Sequence, residues 1–69
     1  MILHQFSTKE LNYIKDHLSW ELLMAKKCYD TAQACNDPDI KTAINQVGQK
    51  HQQHYQLLLR HLSGQEMSQ

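Results

Sequence analysis

From Ser7 to Asp37 the chain has neither glycine nor proline, and its apolar residues return every three or four positions. That spacing marks an amphipathic helix, and it restricts the fold more than any other feature of the sequence. It selects Leu11, Ile14, Leu18, Glu21, Ala25, Cys28, Ala32 and Cys35. A second stretch keeps the same period through Ile40, Ile44, Val47, His51, His54, Leu58 and His61. Asn36-Asp37-Pro38 separates the two. Asn36 suits a left-handed helix exit, Asp37 an N-cap and Pro38 a first helical turn.

The outer ends carry their own signals. Ser7-Thr8-Lys9-Glu10 has the pattern of a capping box, with Phe6 and Leu11 placed for a hydrophobic staple. Ser63-Gly64 is a helix stop, and Gln65 to Gln69 reads as a frayed tail. The expected fold is all-α: helix 1 over about 8–35 and helix 2 over about 38–62, with boundaries good to a few residues. So short a connection makes them an antiparallel hairpin. Leu22, Met24, Tyr29, Ala43, Tyr55, Leu57 and Leu62 widen both stripes to bundle width, and the rings of Tyr29 and Tyr55 read as core.

The 69 residues make a single domain, near the size at which one core barely offsets chain entropy. Two helices supply one contact line, which leaves wide stripes half exposed, and Tyr13, Trp20 and Leu23 fall toward the back of helix 1. A symmetric homodimer of four helices is the economical solution. Further copies, or Ile2, Leu3 and Phe6, would cover the back, where Trp20 is the interface candidate.

Composition removes several classes. Seven basic and seven acidic side chains give a formal net charge of zero, without the Lys/Arg excess that a nucleic-acid partner requires. No apolar run approaches the roughly 18–20 residues of a membrane span. The first residues lack the basic and apolar segments of a signal peptide, so the expectation is a cytoplasmic protein. Cys28 and Cys35 are about 10 Å apart along one helix, too far for a mutual disulfide, and read as small buried hydrophobes. No serine or cysteine sits in a base-activated arrangement, and no glycine-rich loop could cradle phosphate. An enzyme is therefore not the favoured reading, and no catalytic residue is assigned.

The informative residues are polar ones on the apolar stripes. In the antiparallel hairpin, residues at equal height have indices that sum to about 73. Glu21 then lies level with the interval between His51 and His54, and Ala25 lies against Gly48, where two small residues permit close backbone approach. A carboxylate in that position needs partners. One reading is a hydrogen-bonded layer in which the imidazoles donate to Glu21 and fix register and dimer geometry. The other is a metal site. Histidines at i and i+3 with a carboxylate from the facing helix are a ligand arrangement of carboxylate-bridged bundles. Imidazole plus carboxylate suits zinc, iron, manganese or cobalt. A two-fold dimer would bring two Glu and four His together. His17 reads as a flank residue or a support for the site, and His61 as a solvated end residue.

The run Leu18-Ser19-Trp20-Glu21-Leu22-Leu23-Met24-Ala25-Lys26-Lys27-Cys28-Tyr29, the hinge Asn36-Asp37-Pro38-Asp39-Ile40-Lys41 and the segment His51 to Leu62 carry a family resemblance. Over about residues 11–62 the chain resembles the spore coat F-like group of small ferritin-like proteins. The resemblance implies a ferritin-like bundle, a spore-associated setting with coat proteins as partners, and a coat or storage role. Glu21 matches the first metal-binding Glu of that pattern and His54 its His, while His51 stands where a second Glu belongs. A dimer would then offer two core carboxylates instead of four, which counts against di-iron oxidation. Three readings follow: a metal-binding ferritin-like module, a structural spore component assembling through the bundle and Trp20, and, last, a di-metal oxidase.

Overall fold

A computed structural model describes residues 6–63. They form two helices, α1 (Thr8–Ala34) and α2 (Pro38–Ser63), with no strand among the described residues. The helix stop at Gly64, the tail beyond it and the proposed cover by Ile2 and Leu3 lie outside that range.

Each helix starts where its side chains can satisfy the free amides of a first turn. At α1 the full capping box is present: Glu10 N–H donates to Ser7 Oγ at 3.0 Å, and Ser7 N–H donates to Glu10 Oε1 at 3.1 Å. At α2, Asp37 Oδ1 accepts from Asp39 N–H at 2.8 Å and Ile40 N–H at 3.2 Å, and its carbonyl accepts from Lys41 N–H at 3.0 Å. Pro38 takes the first helical position, where no amide is needed. Arg60 and His61 sit in the last turn, where the helix dipole favours cations. The exit from α1 differs from expectation. Cys35 is the C-cap, in an extended conformation (φ −79°, ψ 138°), and its N–H returns to Ala32 O at 3.2 Å, so α1 closes one residue before Asn36.

The hairpin is antiparallel and one helix thick, 11 Å along its shortest axis. Its contact line on α1 is the expected one: Leu11, Ile14, Leu18 and Glu21 are half-buried, and Ala25, Cys28 and Ala32 are buried. On α2 the inward row is Lys41, Ile44, Gly48, His51, Tyr55, Leu58 and Leu62. Ile40, Val47, His54 and His61, expected to face inward, are exposed instead. Gly48 supplies the reason. A Cβ built on it would lie 3.0 Å from Cys28 Cβ and 3.8 Å from the Ala25 carbonyl oxygen, so the helices touch backbone to side-chain root there. The closest approach runs through the residue without a side chain, and the rest of α2 turns about one position to follow. Tyr55 is thereby drawn inward, while Tyr29, expected in the core, is 61% exposed.

This close approach gives a mutational prediction. Gly48→Ala should raise helix propensity by about 1 kcal/mol. The new methyl, however, meets Cys28 Cβ, an atom fixed to the α1 backbone, so the helices must separate, at a cost of about 1–3 kcal/mol. Thermal denaturation followed by circular dichroism should show a lower Tm than wild type. A higher Tm would mean that the two helices part freely at this height.

Candidate metal centre

The polar layer lies one helical turn from the closest approach. Ala25 and Cys28 pack on Gly48, so Glu21, a turn before Ala25, and His51, three residues after Gly48, are carried to the same height. His51 Nδ1 is 2.5 Å from Glu21 Oε1, and His54 Nδ1 is 3.3 Å from Glu21 Oε2. The single carboxylate thus holds both imidazoles, one oxygen each. The rings are edge to face, with centroids 6.1 Å apart and planes at 89°.

Charge and burial fit that geometry. The Glu21 side chain is 15% exposed, His51 is half-buried and the His54 side chain is 55% exposed. The layer is therefore closed on the α1 side and open to solvent at His54. The hydrogen bond from His51 holds the Glu21 carboxyl below its ordinary value of 4.5; partial burial opposes this, and the charges of His54 and His51 reinforce it. An ionised carboxylate only accepts, so the His51 nitrogen facing it carries the proton. No buried side-chain nitrogen or oxygen among the described residues lacks a partner.

Glu21, His51 and His54 are the three residues that sequence periodicity singled out, and the structure brings all three together. One ligand atom from each lies within 4.8 Å of the others, compact enough to surround one ion. Zinc binds imidazole nitrogen and carboxylate oxygen at about 2.0–2.2 Å, so donors sharing an ion stand about 3–3.5 Å apart. The His54–Glu21 separation meets that requirement. The His51–Glu21 contact is shorter and is a direct hydrogen bond. His17 and His61 are exposed and outside the cluster. The sequence could not show which ring nitrogens face the carboxylate, because that depends on side-chain rotation and not on spacing.

Fold and site together define a small two-helix hairpin with a carboxylate–histidine cluster across its contact line. Over 63 residues, 90% of its length, the chain is 44% identical to a Bacillus subtilis (strain 168) protein described as "Uncharacterized protein YuzM", of which it covers 78%. The chain belongs to the YuzM family. No family model matches it, and no solved structure matches it. No helix among the described residues is long and apolar enough to cross a membrane.

The lowered carboxyl gives a pH prediction. A group whose pKa is depressed on folding contributes stability above its unfolded value and loses it as pH falls through the folded value. The Tm difference between wild type and Glu21→Gln should therefore be complete above about pH 5. It should shrink as the pH drops below 4.5. Thermal melts of metal-free protein across that range measure it, and a difference independent of pH would show that Glu21 is not the titrating group.

Proposed function

We propose that this protein is a small metal-binding helical module that works as a homodimer, two hairpins forming a ferritin-like four-helix bundle. The observation that carries the metal reading is the meeting of Glu21, His51 and His54 within 4.8 Å at one height of the hairpin. Nitrogen and oxygen donors in that proportion suit zinc, iron or manganese. With one carboxylate per chain, redox turnover is not part of the proposal; binding is.

The dimer is supported by how little the hairpin buries. Its buried side chains are Ala25, Cys28 and Ala32, and no large side chain among the described residues is fully enclosed. Trp20, Leu22, Leu23, Ile40, Val47 and Leu57 remain substantially exposed. A helical hairpin with so thin a core needs further apolar contact to hold its helices against chain entropy.

The exposed Trp20 and Leu23 on the outer side of α1 favour a second reading, a structural component of the spore coat that assembles through this face. In that case the polar layer only fixes register, and the protein acts among other coat proteins. The readings differ in whether metal matters.

Thermal denaturation of metal-free protein titrated with zinc, iron(II) and manganese separates them. A metal held only by the folded state raises Tm with concentration, by the equivalent of about 2.7 kcal/mol at 100 times Kd. Wild type should respond to at least one metal, and His51→Ala with His54→Ala should not. No shift with any metal would leave the structural reading. Sedimentation at micromolar concentration should give the mass of two chains, and a fully helical monomer would contradict the dimer.

A further inference from the structure

Three donors do not complete a closed metal site. Zinc in such a site takes four, arranged as a tetrahedron, whereas Glu21, His51 and His54 supply three, within 4.8 Å of one another. Both imidazoles turn Nδ1 toward Glu21, so the converging atoms are these two nitrogens and a carboxylate oxygen. An ion held there takes the place of the proton in the 2.5 Å hydrogen bond between His51 and Glu21. A neutral His51 then keeps its one ring proton on Nε2, moved there by exchange with water. The fourth position falls to water or to one more side chain.

His17 is the side chain placed to fill it. It precedes Glu21 by four residues, the spacing at which one helix presents two ligands to a single zinc ion. Side chains so spaced start about 5–6 Å apart at Cβ, a gap that an imidazole binding through its far nitrogen, Nε2, can span. The direction is also right. Four residues back from Glu21 turn about 40° around α1, and three residues on from His51 turn about 60° around α2. Because the helices are antiparallel, both turns lead to the same face of the hairpin, and His17 stands on the side where His54 stands. The opposite face carries Leu22, Gln49, Gln52 and Gln56, and its groove is lined by no imidazole or carboxylate. His17 is exposed, and among the described residues it has no hydrogen bond or ion pair to lose. Bringing its ring inward takes a rotamer change, which exposed side chains make in picoseconds to nanoseconds.

We propose that His17 is the fourth ligand of a site complete within one chain. One divalent transition metal is held by the Glu21 carboxylate, Nδ1 of His51, Nδ1 of His54 and Nε2 of His17, whose ring turns inward when the ion binds. This rests on the metal reading proposed above and deepens it, naming the ligand atoms, the additional ligand and a stoichiometry of one ion per chain.

The test is zinc added to the metal-free full chain, with uptake measured by equilibrium dialysis and ring nitrogens followed by NMR of ¹⁵N-labelled protein. The expected result is saturation at one zinc per chain. Zinc should move the Nδ1 resonances of His51 and His54 and the Nε2 resonance of His17. Losing a ligand should cost at least what losing a supporting group costs, so His17→Ala should weaken zinc binding by about 10–100-fold or more. Its metal-free Tm should match wild type, because the exposed ring supports no contact in the fold. His61→Ala removes another exposed histidine and should bind zinc as wild type does. Unchanged affinity in His17→Ala, a His17 ring that zinc does not move, or equal weakening in His61→Ala would overturn the fourth ligand and leave the three-residue reading standing. Saturation at one zinc per two chains would overturn the single-chain site in the same way. No uptake by wild type would overturn both.

Discussion

Gly48 brings the backbone of α2 against the side-chain roots of α1, and the rest of the hairpin is arranged around that contact. Cys28 Cβ and the Ala25 carbonyl fill the space that a side chain at position 48 would occupy. The contact fixes how far apart the helices run and which rows of α2 face inward. Small residues on both sides are needed: Ala25, Cys28 and Ala32 form the buried strip opposite it. Larger residues return toward the open end, where Leu18 and Leu58 are half-buried and the helices lean on longer side chains.

The polar layer depends on this contact. A carboxylate reaches only a few ångströms from its helix, so Glu21 can hold two imidazoles of α2 only if the backbones are already close. Placing it one turn from Gly48 meets that condition. The result is a charged group, largely withdrawn from water, whose two oxygens face two nitrogens. Such a layer resists a register slip, since moving α2 by one residue would leave Glu21 without its partners. It also fixes the rings, and fixed rings are what a metal site requires.

Much of this was legible in the sequence, because the signals involved are local or follow from helix geometry. Ser7 with Glu10 marked one helix start, and Asp37 with Pro38 the other. Equal rise along two helices from a short hinge was enough to set Glu21 beside His51 and Ala25 beside Gly48. The inward row of α2 was not legible in the same way. Counting apolar residues favoured Val47 over Gly48, because a glycine adds nothing to hydrophobic periodicity although it permits the tightest packing. Tyr29 lies outside the contact line, 61% exposed, and the buried strip beside it is made of the small residues Ala25, Cys28 and Ala32. The exit at Cys35 depends on one backbone dihedral pair, which Asn36 does not determine on its own.

Burial follows the same division. The face between the helices is satisfied within one chain, whereas Ile40, Val47 and Leu57 present apolar surface that one hairpin cannot cover. His54 joins the two regions, touching Glu21 from a position 55% open to solvent. The central claim, that this layer holds a transition metal, is tested most directly by elemental analysis of protein purified without an affinity tag. Wild type and a His51→Ala, His54→Ala variant would be measured side by side. The account predicts a transition metal in fixed proportion to wild-type chains and only background in the variant. Equal background in both would contradict it.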